Sequence, residues 1–187
     1  MEYILETERL RLRKLTLSDL DNLKETLQDP RAMYAYEGAF SEKETLSWLQ
    51  RQLERYAEYG LGLWGVEEKA SGSFLGQCGL TYQEWKDEMV LEIGYLFSPR
   101  YWGKGYASEA ARGTKDYAFN VLKEKEVCSI IRATNTPSMR VAIRNGMLAR
   151  DTSIKHYRGV DMLHVRFCRQ RLIKEKTPPI SLYTVGQ

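Results

Sequence analysis

The sequence contains few residues of the kinds that cross-link chains or hold metal ions. Only three cysteines and two histidines occur among its 187 residues. Cys78, Cys128 and Cys168 are far apart and form no CxxC pair, which argues against a disulfide framework and against a zinc site. We therefore expect a reducing, cytoplasmic compartment and no bound metal.

Long apolar runs are also missing. No run approaches the ~20 apolar residues that a transmembrane helix needs. Residues 1–6 have neither the basic nor the apolar part of a signal peptide. We therefore expect no membrane partner and no secretion signal.

The excess of positive charge is small. The chain has 28 Lys+Arg and 25 Asp+Glu residues, a net charge of +3. DNA-binding domains concentrate more positive charge on one face, so we expect no DNA partner. A basic stretch through Arg166, Arg169, Arg171 and Lys174 leaves an RNA-associated role open, but a solvated strand face and tail explain it more simply.

The remaining composition is that of a globular protein. Hydrophobic residues make up 43% of the chain and charged residues 28%. A length of 187 residues favours one domain. We predict a domain over residues 1–174 and a tail over residues 175–187, which contains Pro178-Pro179 and lies outside the core.

The first half of the chain shows helix and strand signals in turn. Alternation of Leu10 and Leu12 with arginines predicts a strand. Ser18 is predicted to cap a helix that stops at Asp29-Pro30. Ser41 and Glu44 fit the capping box of a second helix. That helix is predicted to end at Gly60, and strand-like runs follow at residues 61–67, 74–82 and 89–97. Their short connections favour an antiparallel meander.

The second half continues with both kinds of element. A helix is predicted over residues 106–122 and a strand over residues 127–133. Thr136-Pro137 reads as a cap followed by a first-turn proline, and Asn145-Gly146 as the end of that helix. Two strands then pair around Arg158-Gly159. The order predicts one α/β domain of the α+β type with a central, largely antiparallel sheet.

The segment Gly103-Lys104-Gly105 joins a strand to a helix and has the features of an anion site. The first N–H groups of a helix lack internal partners and carry partial positive charge. Arg100 and Lys104 add full charges, so the segment predicts binding of a diphosphate. On the glycines alone, a tight turn with no ligand remains an alternative. The P-loop pattern is absent, and Ser108 breaks the dinucleotide fingerprint GxGxxG.

A longer pattern makes this reading more specific. Arg100-x-x-Gly103-x-Gly105 matches the pyrophosphate signature of the GCN5-related N-acetyltransferase (GNAT) superfamily. The sequence around it, residues 102–110, resembles that of the subgroup that acetylates the N-terminal alanine of ribosomal proteins. Residues 6–13, 135–147 and 158–171 are similar to other segments of that subgroup. The resemblance covers residues 6–172 and implies a single-domain GNAT fold with a mixed, mostly antiparallel sheet split in a V and about four flanking helices.

The resemblance also implies where the acetyl donor binds. Acetyl-CoA would lie in the split, with its pantetheine arm along the strand that contains Tyr95, Leu96 and Phe97. Its pyrophosphate would be held by the backbone amides of the following turn and helix start. The residues implied there are Arg100, Trp102, Gly103, Lys104, Gly105, Tyr106 and Ala107. Asn135 and Ser138 would contact the cofactor from the neighbouring strand's end.

Direct acetyl transfer to a primary amine is the implied reaction. The tyrosine that many family members use as general acid would fall at Ala142 here, so the resemblance moves that role to Ser138. A helix-start hydroxyl that satisfies backbone N–H groups is the alternative for Ser138. Glu92 is the best candidate for the general base by position, and a structural charge paired with an arginine is its alternative.

The acceptor side is less defined by sequence. Five aromatic residues are candidates for its wall, with core packing as the alternative: Tyr34, Tyr36, Phe40, Tyr82 and Trp85. His156 and Tyr157 are candidates to line it as well. Cys128 and Cys168 are expected to be small buried residues rather than acyl-carrying nucleophiles. The acceptor would be a protein N-terminal amine or a small amine. A homodimer is compatible with the resemblance, and a non-catalytic acyl-CoA-binding sensor is the alternative function.

Overall fold

The computed structural model describes residues 2–172, so the predicted tail, residues 175–187, lies outside the described residues. Eight strands form one mixed sheet in the order β1-β2-β3-β4-β5-β6-β8-β7. All neighbouring strands are antiparallel except β5 and β6, which are parallel. The strands are β1 (Leu5–Glu6), β2 (Leu10–Arg13), β3 (Leu63–Glu68), β4 (Phe74–Trp85), β5 (Glu88–Phe97), β6 (Glu126–Arg132), β7 (Leu148–Tyr157) and β8 (Val160–Gln170). The split GNAT sheet expected from the sequence is confirmed.

Four helices of eight or more residues and one single-turn helix flank this sheet in the described part of the chain. They are α1 (Leu20–Leu27), α2 (Pro30–Met33), α3 (Glu42–Tyr59), α4 (Tyr106–Asn120) and α5 (Thr136–Arg144). The sequence did not predict α2 or the edge strand β1. Within residues 2–172 the structure contains no helix of the length and apolarity that a bilayer span requires.

The ends of α3 follow local sequence rules. The Ser41 hydroxyl accepts the Glu44 N–H over 3.2 Å, and the Glu44 carboxylate accepts the Ser41 N–H over 2.7 Å. This is the predicted capping box. Gly60 ends the helix in the left-handed conformation, with φ of +70°. Both ends of α3 were therefore predictable from residues close in sequence.

The start of α1 differs from the prediction. A 3-10 turn over Leu17–Asp19 precedes α1 and is capped by Thr16, not by Ser18. Asp19 accepts the Thr16 N–H over 2.8 Å and binds the guanidinium of Arg13 through both carboxylate oxygens, also over 2.8 Å. The buried pair between Arg13 and Asp19 fixes the turn, and a contact from a neighbouring strand is invisible to a local capping rule.

Two apolar clusters hold the layers together. One joins α4 to the sheet and includes Phe97, and the other joins α1, α2 and α3 and is contacted by Leu96. Neighbouring residues of a strand point to opposite faces. The sheet therefore carries α4 on one face and α1–α3 on the other, with β5 in contact with both clusters.

The sheet opens between β5 and β6. Glu92 and Cys128 form the single ladder pair between these two parallel strands. The Ser129 hydroxyl donates to the backbone carbonyl of Ile93 over 2.8 Å. Beyond this point β5 continues to Phe97 paired with β4 alone. The β6 side of residues 94–97 is therefore left without a strand partner, which is the predicted V.

Cys128 and Cys168 lie opposite each other on β6 and β8 and form a disulfide, with their Cα atoms 4.1 Å apart. The expectation of no disulfide is wrong for this pair. Antiparallel pairing brings together residues that are 40 positions apart, which their spacing in the sequence does not reveal. Cys78 remains a free, buried thiol.

Candidate active site

A cleft of about 930 Å³ occupies the opening of the sheet. Its lining comes from β5, the turn that follows it, α5, α3, the segment of residues 34–40 and β7. The cleft therefore has two ends. One end faces the turn after β5, and the other lies between α3 and β7.

The turn after β5 delivers backbone amides to the first end. Gly103 and Gly105 have φ of +76° and +82°, and Gly105 is the residue before α4. The Trp102 indole N–H donates to the Phe97 carbonyl over 2.8 Å and holds the turn against the strand end. Trp102, Gly103, Gly105, Tyr106 and Ala107 all line the cleft. The unpaired N–H groups at the start of α4 thus lie at its wall.

The cations near this turn are not those that the sequence suggested. The Arg100 side chain is 69% exposed and pairs with Glu25 over 3.5 Å. Neither Arg100 nor Lys104 lines the cleft, whereas Arg140 and Arg144 of α5 do. Their spacing of four residues puts both on one face of the helix, which is a signal that the sequence analysis missed.

Asn135 and Ser138 lie at the start of α5. The Asn135 side-chain oxygen accepts the Ser138 N–H over 3.2 Å and the Tyr34 hydroxyl over 2.7 Å. Asn135, not the predicted Thr136, therefore caps the helix. Ser138 lines the cleft, and its hydroxyl forms no hydrogen bond to another residue among residues 2–172. Ala142 is buried, with 1% exposure.

Glu92 lies at the base of the split, where β5 and β6 part. Glu92 lines the cleft, and its carboxylate accepts the Ile130 N–H over 3.2 Å. Burial raises the pKa of Glu92, while the Ile130 N–H and the charges of Lys155 and Arg55 partly oppose that rise. No described arginine forms an ion pair with Glu92. The geometry therefore does not match the alternative role of Glu92 as a structural charge paired with an arginine.

Three of the five expected aromatic residues line the second end: Tyr34, Tyr36 and Phe40. Trp48 joins them, edge-on to Tyr36 with ring centres 5.9 Å apart. His156 and Tyr157 also line the cleft. The other two aromatic residues do not line the cleft and match the packing alternative. Trp85 is buried against β7 and donates to Asp151 over 3.1 Å, and Tyr82 packs on Tyr59.

Residues 34–40 form a strap across the opening. The Arg132 guanidinium donates to the Tyr34 carbonyl over 3.2 Å and forms an ion pair with Glu37. At the far side, the Arg158 guanidinium lies over the Phe40 ring, 5.2 Å from its centre. The strap therefore reaches from the helical layer to β6 and the β7–β8 hairpin.

Comparison with known proteins identifies the family. Residues 9–148 match the family model described as Acetyltransferase (GNAT) domain. This chain belongs to the GNAT acetyltransferase family. It is 40% identical over 144 residues to the uncharacterized protein YkkB of Bacillus subtilis (strain 168), which covers 76% of this chain and 84% of YkkB.

Solved structures agree with this assignment. A GNAT-family acetyltransferase from Bacillus anthracis superposes with a TM-score of 0.75 at 25% identity, covering 89% of this chain and 97% of that one. RimL, an L7/L12 alpha-N-protein acetyltransferase solved with coenzyme A, gives 0.74 at 16% identity, with coverage of 90% and 98%. At 16% identity, the likeness to RimL shows the fold alone. The chain is thus an acetyltransferase of a family that uses acetyl-CoA.

Proposed function

We propose that this enzyme transfers the acetyl group of acetyl-CoA directly to a primary amine in the cleft. The acceptor is a protein N-terminal amine, as the names of RimL and the ribosomal-protein subgroup suggest, or a small-molecule amine. The open side of β5 between Glu92 and Phe97, which continues into the amides before α4, carries this proposal. Together they form one continuous wall for a long ligand with a diphosphate.

The donor half of the cleft fits coenzyme A. An unpaired strand edge presents N–H and C=O groups to an amide-containing arm such as pantetheine. The backbone at Tyr95, Leu96 and Phe97 supplies that edge. The amides from Gly103 to Ala107 would hold the diphosphate, and Arg140 and Arg144 supply positive charge from the opposite wall.

Two side chains have the positions needed for proton transfer. In the proposed reaction acetyl-CoA supplies a thioester, whose C–S bond breaks as the amine nitrogen bonds to the carbonyl carbon. Glu92 accepts the proton that the amine loses, directly or through water. The Ser138 hydroxyl donates a proton to the departing thiolate and regains one from water. Ser138 suits this role because it lines the cleft and its hydroxyl is not needed to cap α5, which Asn135 already does.

The sensor alternative retains acyl-CoA binding without transfer. Ala142 favours it, because the position that often carries the family's general acid has no hydroxyl. Ser138 and Glu92 favour transfer, because both line the same cleft. The two functions therefore differ in whether free thiol appears when an acceptor is added.

An acceptor screen with thiol detection tests the proposal. Peptides that begin with Ala, Ser or Met and a set of small amines are offered with acetyl-CoA. Thiol release above hydrolysis with at least one amine supports transfer. Stabilisation by CoA without turnover on any amine supports the sensor. Gly103→Glu is the control, because a carboxylate at that turn repels the diphosphate and should abolish both responses.

Two further expectations accompany this proposal. We propose a cytoplasmic enzyme, on the ground that acetyl-CoA is available there and no longer on the cysteine pattern, since Cys128 and Cys168 are bonded. We also propose a homodimer, which is compatible with the family resemblance. Sedimentation of the purified chain tests the second expectation. A single monomeric species across the accessible concentration range would contradict it.

A further inference from the structure

The acceptor end of the cleft contains cations without acidic partners. Arg51 and Arg55 lie one turn apart on α3, and Lys155 lies on β7. All three line the cleft, and none forms an ion pair with residues 2–172. Lys155 instead contacts the Trp85 ring, 5.6 Å from its centre. Within the described chain, the one carboxylate of this end that is free of an ion pair is Glu92.

Two other arginines near the acceptor end are neutralised. Arg132 pairs with Glu37, and Arg158 pairs with Glu44. The first pair holds the strap and the second joins the β7–β8 hairpin to α3, and both leave little net charge. The excess positive charge of the acceptor end therefore comes from Arg51, Arg55 and Lys155, and it exceeds what Glu92 balances.

Holding Arg51 and Arg55 together has an energetic cost. Arg55 is half-buried, and burial together with the nearby Arg51 charge lowers its pKa. Like charges four residues apart on a helix destabilise it. Such an arrangement suits a site that an anion completes, because a bound carboxylate relieves the repulsion and can accept two N–H groups from a guanidinium.

We propose that the acceptor amine also carries an anionic group, a carboxylate in the simplest case, which binds between Arg51 and Arg55 while the amine lies at Glu92. This inference rests on the proposed acetyl transfer and narrows its substrate class to acidic amines. Either an acidic residue after a peptide N-terminus or the carboxylate of a small amino acid supplies the same chemistry.

Cations near Glu92 have a second effect, since they lower the pKa of a bound amine and favour its neutral form. That effect does not depend on an acid in the acceptor. Acceptor pairs with closely similar amines that differ in a distant carboxylate therefore separate the two explanations.

The experiment compares such pairs by kcat/KM with acetyl-CoA saturating. Seryl-aspartyl amide against seryl-asparaginyl amide represents peptides, and 4-aminobutyrate against 4-aminobutanamide represents small amines. We expect kcat/KM to be higher by about tenfold or more for the anionic member of one pair. The pair that shows this preference tells whether the carboxylate belongs to a peptide or to a small amine. Added salt should reduce the preference.

Substitutions on α3 locate the effect. Arg51→Gln and Arg55→Gln should bring the ratio of kcat/KM for the anionic and neutral acceptors close to one. Both substitutions should leave the KM for acetyl-CoA unchanged. Arg51→Glu, at an exposed position, should favour the neutral member instead. Lys43→Gln removes a charge from the same helix outside the cleft and should leave the preference as it is.

Two results would overturn the inference. One is equal kcat/KM within both pairs for the unmodified enzyme, and the other is an anion preference that Arg51→Glu does not alter. In both cases acetyl transfer itself stands. Rates at the hydrolysis level with every acceptor would instead count against the proposed function, and against the inference with it.

Discussion

The Tyr95 hydroxyl donates a hydrogen bond to the backbone carbonyl of Ser138 over 2.7 Å. Tyr95 lies on β5 beyond its ladder pair with β6, and Ser138 lies in the first turn of α5. The bond therefore connects the two sides of the V across the cleft. Because this bond is made to the backbone carbonyl of Ser138, it does not occupy the Ser138 hydroxyl, which stays available for proton transfer.

Removal of the Tyr95 hydroxyl should loosen this connection. We expect Tyr95→Phe to lower the free energy of unfolding by about 0.5–1.5 kcal/mol, and to lower kcat because Ser138 is held less firmly. Urea unfolding and steady-state kinetics measure the two effects. Tyr117→Phe is the control, since the Tyr117 hydroxyl bonds to no other described residue. Equal effects of the two substitutions would contradict a specific role for Tyr95.

Ser138→Ala retains the backbone carbonyl and so retains the bond to Tyr95. We expect unchanged stability and a kcat lower by about a hundredfold, the usual order for a lost general acid. An aryl thioester donor, whose thiolate leaves without a proton, should recover most of that rate. A loss of rate that is the same for both donors would point to a positional effect of Ser138.

Glu92→Gln should separate activity from stability. Burial raises the pKa of Glu92 above its ordinary 4.5, so the folded protein holds this proton to a higher pH than the unfolded chain does. The contribution of Glu92 to the free energy of unfolding is therefore fully present below the unfolded pKa of about 4.5. It is lost as the pH rises through the folded pKa. We expect the Gln variant to be at least as stable as the parent at neutral pH, and to lose the acid limb of the kcat/KM profile along with most activity. An unchanged profile would exclude Glu92 as the base.

The Cys128–Cys168 bond predicts a thiol count that depends on reduction. The unfolded, unreduced chain should react with one equivalent of maleimide, at Cys78, and the reduced chain with three. Reduction should lower the free energy of unfolding by about 2–4 kcal/mol. Cys78→Ala, which should leave no reactive thiol before reduction, is the control. Three reactive thiols in protein purified without reductant would contradict the pairing.

Features set by neighbouring residues could be predicted from the sequence. The Ser41–Glu44 capping box, the Gly60 helix end and the hairpin at Arg158-Gly159 each depend on residues a few positions apart. The turn at Gly103-Lys104-Gly105 is of the same kind, because its glycines and the start of α4 are adjacent. These features place the donor half of the cleft.

Features set by distant partners could not be predicted. Asp19 completes the capping box of Thr16 while it holds Arg13, and Trp85 is buried with its N–H donated to Asp151 of another strand. Cys128 meets Cys168 only through the pairing of β6 with β8. Arg51, Arg55 and Lys155 face one cleft because α3 and β7 meet across it. The acceptor half depends on such contacts, and its cations and Trp48 were missed although six predicted residues do line it.

A crystal structure with coenzyme A tests the central claim most directly, since that claim concerns where the donor lies. The diphosphate should contact the amides between Gly103 and Ala107, and the pantetheine arm should run along β5 past Leu96 with its sulfur between Glu92 and Ser138. Coenzyme A bound elsewhere on the protein, with the cleft empty, would contradict the proposal.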